Sequence, residues 1–174
     1  MKALKYILIG FGVVILSFFS MGFMHSSFTY ENEVQVNSSI EHSFKIFTND
    51  SLGPEWLIGL KGYEVLEGAP HQPGSKFLMK FEAEGQNYEF VETLTDFIPN
   101  EKFAFTMETE YFDGEVSITF AESNGGTLIK ASTTNYPKGL FNKSIFYLMK
   151  SSLQAQSQIS YDNLKQLIES TIKS

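Results

Sequence analysis

Six short segments between residues 62 and 136 constrain the fold more than any other feature of this 174-residue sequence. Large apolar residues alternate with polar ones in each segment, which is typical of half-buried strands. Turn-forming residues such as Asp113-Gly114 and Asn124-Gly125 separate the segments and predict hairpins. Connections this short join antiparallel neighbours, because parallel pairing needs a long crossover. The predicted strands are 62–68, 75–84, 87–97, 102–112, 115–122 and 127–136.

Helices and one further strand flank this run. Alternation from Phe28 to Val36 predicts a first strand, and a capping-box spacing from Ser38 to Glu41 predicts a short helix after it. Trp56, the only tryptophan, lies in a second short helix. The segment from Leu140 to Ile172 lacks proline and glycine and predicts a helix roughly 50 Å long. The fold class is therefore α+β, with a curved seven-stranded antiparallel sheet around a long C-terminal helix.

The N-terminal segment predicts a membrane anchor. Residues 6–24 carry no charge and span about 28 Å as a helix, close to the thickness of bilayer hydrocarbon. Lys2 and Lys5 precede this segment, so the positive-inside rule places the rest of the chain on the extracytoplasmic side. The alternative is a signal cleaved near Ser20-Met21-Gly22, which would release a secreted or periplasmic protein. We therefore divide the chain into an anchor or uncleaved signal, 1–27, and a domain, 28–174.

Composition excludes several kinds of chemistry. The net charge is −7 and basic residues do not cluster beyond Lys2 and Lys5, which argues against nucleic-acid binding. The absence of cysteine excludes disulfides and thiolate nucleophiles. His25, His42 and His71 lack the spacing of metal ligands, so we expect no metal and no cofactor. Protein partners cannot be inferred from the sequence.

Two sets of residues carry hypotheses about a site. Carboxylates on predicted strands are either solvent-facing or, in a cavity, a general acid or base. Alternation places Glu92 on one face with Tyr88, Phe90 and Leu94. The apolar strand faces, together with Phe141, Ile145, Met149 and Leu153 of the long helix, enclose either a cavity or a solid core. The strand carboxylates are Glu82, Glu84, Glu89, Glu92, Glu108 and Glu110.

The order of several motifs resembles the START-like superfamily of helix-grip (SRPBCC) proteins. These motifs are "VQVNSSIEHSFKIFTND", "EWLIGLKGYEVLEG", "GSKFLMKF", "ETLTDFIPNEKFAFTME", "GGTLIKAS" and "YDNLKQLIES", which lie between about Phe28 and Ile172. Phe103 stands where the superfamily more often has leucine. Members include pollen allergens, polyketide cyclases and lipid-transfer domains, so the resemblance implies a helix-grip fold and favours a cavity between sheet and helix.

The resemblance leads to one expected function and two alternatives. We expect a membrane-tethered module that binds an apolar small molecule or a lipid and contacts the membrane through residues 6–24. The alternatives are a cyclase- or hydrolase-like enzyme that uses a cavity Glu or Tyr, and a ligand-free envelope interaction protein. Trp56 either plugs one end of the cavity or lines its mouth, and Gln154 and Gln158 either orient the ligand or face solvent. No catalytic residue is assigned, and the predicted ligand-binding residues are Trp56, Phe77, Met79, Phe81, Tyr88, Phe90, Phe103, Phe105, Met107, Ile118, Met149 and Leu153.

Overall fold

A single antiparallel sheet of seven strands forms the framework of the protein, and its spatial order is β1-β7-β6-β5-β4-β3-β2. The structure is a computed structural model that describes residues 2–83 and 85–172. Every pair of neighbouring strands from β2 to β7 is consecutive in sequence, and β1 joins the sheet beside β7. The strands are β1 (Phe28–Val36), β2 (Leu60–Glu67), β3 (Lys76–Ala83), β4 (Gln86–Ile98), β5 (Lys102–Glu108), β6 (Phe112–Ser123) and β7 (Gly126–Pro137).

Four helices accompany the sheet in the predicted order. Ser39 caps the second of them and accepts a hydrogen bond from the His42 backbone N–H, one residue later than the Ser38 that the capping-box spacing indicates. A 3₁₀ turn, Asp50–Leu52, precedes the helix that carries Trp56. The seven-stranded α+β helix-grip architecture is thus confirmed. The helices are α1 (Lys2–Met24), α2 (Ile40–Phe47), α3 (Gly53–Trp56) and α4 (Gly139–Thr171).

One predicted hairpin turn is wrong. Asp113-Gly114 lies inside β6, where Asp113 pairs with Glu108 and Gly114 pairs with Met107. The turn is instead made at residues 109–111, where the Thr109 hydroxyl accepts hydrogen bonds from the N–H groups of Tyr111 and Phe112. Gly114 instead leaves room for the side chain of Met107 on the neighbouring strand, because a Cβ on Gly114 would come within 2.6 Å of that side chain. In contrast, Asn124-Gly125 does form the β6–β7 turn, with positive φ at both residues.

The two halves of α4 have different neighbours. We refer to 139–153 as the proximal half and 154–171 as the distal half. The distal half packs on the concave side of the sheet, where Tyr161, Leu164 and Ile168 are buried in the main apolar core. Partners from α2 and the sheet, including Phe44 and Ile129, complete that core. The concave side is therefore filled chiefly around the distal half.

The proximal half of α4 packs against α1. A Cβ on Gly22 would meet the Ser144 side chain and come within 2.6 Å of the Leu140 carbonyl oxygen, so the two helices touch at a glycine. Phe18 packs on Phe141 with ring centroids 5.7 Å apart. By length and composition, α1 is able to cross a membrane from Ala3 to Met24. The helix that the sequence predicts as an anchor therefore packs on α4 through its C-terminal end, and most of its length is exposed.

Between the two halves, glutamines attach α4 to β1. The Gln154 side chain donates to the Glu31 carbonyl at 2.8 Å, and Gln158 donates to the Glu33 carbonyl at 3.1 Å. The Asn32 amide of β1 donates in turn to the Gln158 side chain. Neither glutamine lines the cavity described below or simply faces solvent, so both sequence-based alternatives are wrong for these two residues. Their physical role is to satisfy backbone acceptors along β1, which is an edge strand.

Candidate functional site

A cavity of about 150 Å³ lies between the sheet, the α2–α3 segment and the distal half of α4. Apolar side chains from the centres of β3, β4, β5 and β6 form its floor. Exposed residues between α2 and α3 and in the β2–β3 loop, among them Asn49 and Pro70, surround its mouth. The apolar lining residues are Phe47, Trp56, Leu57, Leu60, Phe77, Met79, Leu94, Phe103, Phe105 and Ile118.

Trp56 both plugs the structure and lines the cavity. Its indole is 5% exposed and packs between Phe47 and Tyr161, with ring centroids 5.5 and 6.3 Å away. The same residue is part of the cavity wall. Among the residues that the structure describes, none offers an acceptor within hydrogen-bond distance of the buried indole N–H. A buried donor without an acceptor is uncommon and costly.

Glu92 brings a carboxyl group into this apolar surrounding. It lies in β4 opposite Phe77 of β3 and Met107 of β5, so strict alternation places its side chain on the concave face. The register shift in β4 occurs only after Leu94 and leaves this face intact. Burial raises the pKa of the Glu92 carboxyl to about 7, and the negative charge of Asp50 adds to the shift. The group therefore changes charge near neutral pH.

Further polar groups lie at the mouth of the cavity. Burial, followed by a hydrogen bond with Asp50, raises the pKa of the Tyr63 phenol to about 12, so Tyr63 stays a neutral hydroxyl. The His71 ring stacks on Phe97 with centroids 4.8 Å apart, and its Nε2 lies 3.2 Å from the Thr48 carbonyl oxygen. His71 has a φ of 61°, a left-handed conformation that is unusual for a residue with a side chain. These contacts hold the ring across the mouth.

Half of the predicted ligand-binding residues line this cavity. The ones that do so are Trp56, Phe77, Met79, Phe103, Phe105 and Ile118. The others lie elsewhere among the described residues: Phe81 stacks on Phe90 at 5.4 Å, toward the connected end of the β3–β4 hairpin. Tyr88 is exposed at that end, and Met107 packs in the main core. Binding by the six lining residues stays a prediction.

The predicted helical side of the cavity is displaced along α4. Met149 is 43% exposed and Phe141 is 59% exposed, both on the proximal half. Leu153 is partly buried and does not line the cavity either. The α4 residue that does line it is Tyr161, about 18 Å further along the helix than Met149. The sequence-based placement of Phe141, Ile145, Met149 and Leu153 beside the cavity is therefore wrong, because α4 reaches the cavity only in its distal half.

Sequence reasoning also missed residues of the cavity. Leu94 was not predicted to bind a ligand, although the alternation that identifies Glu92 places both residues on one face of β4. Asp50 and His71 lie in connecting segments, and their approach to Glu92 and Phe97 depends on how the chain folds back. Among the other predicted strand carboxylates, Glu82, Glu89, Glu108 and Glu110 are exposed. Glu84 lies outside the described residues.

Comparison with known proteins agrees with this architecture. The family model for AHSA1, Activator of Hsp90 ATPase homolog 1-like protein, matches residues 37–169, which extend from the start of α2 almost to the end of α4. The chain belongs to the AHSA1 family. This family is part of the helix-grip (SRPBCC) superfamily, whose members commonly bind hydrophobic ligands, so the resemblance predicted from the sequence is confirmed. No curated protein sequence matches the chain significantly.

Solved structures with the same fold are distant in sequence from this AHSA1-family chain. Ara h 8.0201 is 17% identical with a TM-score of 0.66, over 83% of this chain and 99% of that one. The di-domain ARO/CYC StfQ from the steffimycin biosynthetic pathway is 13% identical with a TM-score of 0.70, over 85% of this chain and 52% of StfQ. A protein of unknown function from Staphylococcus aureus is 15% identical with a TM-score of 0.69, over 86% and 98%. At these identities the likeness establishes the fold alone.

Proposed function

We propose that this protein is a membrane-tethered module that binds a small apolar molecule carrying one hydrogen-bonding group. The observation that carries this proposal is the cavity, whose wall is mainly aromatic and aliphatic and includes two carboxyl groups, Glu92 in the apolar interior and Asp50 at the mouth. Pockets of this composition bind ligands by burial and orient them with a few polar groups. A cavity of about 150 Å³ accommodates a molecule the size of benzene. The volume therefore favours a ring-sized molecule over a lipid with long acyl chains.

The polar groups suggest how such a ligand would be oriented. Protonated Glu92 donates a hydrogen bond and ionised Glu92 accepts one. A phenol or a small ring carbonyl has the size and the polar group that this arrangement requires. Trp56 also provides a direct optical probe, because it is the only tryptophan in the chain.

Binding can be tested with full-length protein in detergent micelles. We expect phenol and p-cresol to change Trp56 fluorescence and raise the melting temperature, and oleate to do neither. Leu60→Phe narrows the cavity and should abolish both effects. Leu167→Phe adds the same volume at a partly buried core position away from the cavity and should retain them. If no ring-sized compound has an effect, or if Leu60→Phe binds like the parent protein, the binding proposal is wrong.

A second candidate function, acid–base catalysis, rests on the raised pKa of Glu92. A carboxyl group that titrates near 7 in an apolar site is suited to abstract or donate a proton at neutral pH. 5-Nitrobenzisoxazole tests for this, since removal of its ring C–H proton by a base forms a nitrile and breaks the N–O bond, which opens the ring to a single product, 2-cyano-4-nitrophenolate. We expect a rate that rises with pH around 7, is lost in Glu92→Gln and is retained in Glu89→Gln. Equal rates in Glu92→Gln and the parent protein would exclude Glu92 as the base.

The tether is the third part of the proposal, with residues 1–27 as an uncleaved anchor and 28–174 as an extracytoplasmic domain. The close approach of Gly22 to Ser144 supports retention of α1, because cleavage near this point would uncover a face of α4. The intact mass of membrane-extracted protein distinguishes an uncleaved anchor from a cleaved signal. A single Gln166→Cys variant should react with an impermeant maleimide on intact bacterial spheroplasts. Labelling only after lysis would place this domain on the cytoplasmic side.

A further inference from the structure

The proximal half of α4 exposes an apolar stripe that the binding function leaves unexplained. Its members are Phe141, Ile145, Leu148 and Met149, which we call the proximal stripe. Phe141 is 59% exposed and Leu148 is 54% exposed, whereas Ile145 is half-buried. The spacing i, i+4, i+7, i+8 places all four on one side of the helix. An exposed stripe of this size at one end of a structure marks a contact surface.

At the point of closest approach to α1, the proximal half carries a small residue. Ser144 is fully buried where α1 crosses at Gly22, and its hydroxyl donates to the Leu140 carbonyl of its own helix. The proximal half therefore has a small buried residue where the two helix backbones are closest, and large apolar residues that remain more than half exposed beside it. Helices that pack in lipid show this pattern, because small residues let the backbones approach and lipid solvates the apolar side chains.

The position of α1 indicates how deep this surface lies. The two helices run in the same direction, since Phe141 packs on Phe18 and Tyr147 stacks on His25 with centroids 3.8 Å apart. Phe18 lies six residues before the end of α1 at Met24, which is about 9 Å along the helix axis. If α1 spans the bilayer up to Met24, the first two turns of α4 lie beside its last two turns, at the depth of the outer acyl chains.

Polar groups around the start of α4 suit an interfacial position. Lys138 precedes the helix and its ammonium group lies 2.6 Å from an Asp113 carboxylate oxygen, so its charge is paired. The Tyr111 carbonyl accepts hydrogen bonds from the Lys138 N–H and the Asn142 amide, which holds the β5–β6 turn against the start of α4. Tyr111 is itself exposed, as is typical of the aromatic belt at a membrane surface. The neighbouring Glu110 is also exposed and limits how deeply this turn can enter.

We propose that the first two turns of α4 are embedded in the bilayer beside α1, with Phe141 and Ile145 in contact with lipid acyl chains. Leu148 and Met149 then lie at the level of the headgroups, because the neighbouring Tyr147 stacks on His25, just beyond the end of α1. This inference rests on the proposed tether, because α1 sets the depth. It fixes the orientation of the domain and holds Tyr161 and the cavity about 30 Å along α4 from Leu140, on the aqueous side. A ligand would then enter from the aqueous side and not directly from the bilayer.

The absence of cysteine makes site-specific labelling direct. Single variants Leu8→Cys, Phe141→Cys, Leu148→Cys and Gln166→Cys, each in the full chain, are labelled with an environment-sensitive fluorophore and reconstituted into phosphatidylcholine vesicles. Quenching by lipids that carry a nitroxide on the acyl chain is then compared. We expect quenching at Phe141 comparable to that at Leu8, weaker quenching at Leu148, and none at Gln166. Trp56 fluorescence and circular dichroism verify that each variant is folded.

The outcomes distinguish failure of this inference from failure of the proposed tether. Quenching at Leu8 without quenching at Phe141 overturns the inference and leaves the tether standing. Absence of quenching at Leu8 overturns the tether and the inference together. Disulfide formation between two copies of Leu148→Cys, without quenching by lipid, shows that a second copy covers the stripe and also overturns the inference.

Discussion

The two halves of α4 differ in what they bury. In the distal half Leu164 and Ile168 point into the apolar core, and the intervening Gln166 is exposed. In the proximal half Ser144 is buried, and Phe141 and Leu148 are exposed. One continuous helix therefore buries large apolar side chains in its distal half and exposes them in its proximal half. The difference shows that the partner of a helix face, more than its hydrophobicity, decides which side chains are hidden.

The largest effect is expected from breaking the distal packing. Leu164→Ala removes a fully buried side chain and leaves a cavity in the core, so it should cost about 2–5 kcal/mol of unfolding free energy. Leu148→Ala makes the same chemical change on the exposed stripe and should cost less than about 0.5 kcal/mol. Denaturant unfolding of full-length protein in micelles, followed by Trp56 fluorescence, measures both. Equal losses of unfolding free energy in the two variants would contradict the difference in burial between the two halves.

A second prediction concerns pH dependence at the distal end, where the cavity lies. The folded pKa of Glu92, about 7, lies above its unfolded value of 4.5, so the native state holds the proton more tightly. The stabilisation from the protonated carboxyl is complete below about pH 4.5 and is lost as the pH rises through 7. Glu92 keeps some contact with solvent, so the loss is at most about 3 kcal/mol.

Unfolding measured between pH 5 and pH 8 tests this prediction. Glu92→Gln should become more stable relative to the parent protein as the pH rises, because it carries no ionisable group. Glu89→Gln changes an exposed carboxylate of the same strand and should leave the profile unchanged. Parallel profiles for Glu92→Gln and the parent protein would show that Glu92 is ionised in both states over this range.

At the proximal end, the contact between α1 and α4 depends on a glycine. Gly22→Leu places a large side chain where the Leu140 carbonyl and Ser144 leave no room, and should weaken the helix–helix contact by about 1–3 kcal/mol. Gly12→Leu is the matched control, since a Cβ at Gly12 meets nothing within 4 Å. Disulfide formation between Phe18→Cys and Phe141→Cys reports the contact. Unchanged crosslinking in Gly22→Leu would show that the two helices do not pack as described.

The smallest effect is expected where the two halves meet. Gln158→Ala removes hydrogen bonds to the Glu33 carbonyl and the Asn32 amide and should cost about 1 kcal/mol of unfolding free energy. Gln156→Ala, two residues earlier and exposed, should have almost no effect. The same denaturant measurement compares the two variants. A larger loss in Gln156→Ala would contradict the attachment of α4 to β1 through Gln158.

Local patterns predicted the elements well but not their partners. Alternation along β4 placed Glu92 and Leu94 on the concave face, because the side-chain period of a strand is fixed by its backbone. The turn at 109–111 was missed because Thr109 makes it with a hydroxyl, whereas Asp113-Gly114 has the stronger local turn preference. Asp50 and His71 were not recognised as part of the site because their segments approach Glu92 only after folding.

The sequence by itself determined the seven strands, the helices, the helix-grip order and an N-terminal helix able to cross a membrane. These follow from periodicity, turn residues and length, which act over a few neighbouring positions. Only the tertiary structure decided which apolar residues of α4 are core and which are exposed, since Leu148 and Leu164 carry the same side chain in the same helix. The reason is geometric. At Gly22, α1 packs on the proximal half of α4, whereas the sheet packs on the distal half.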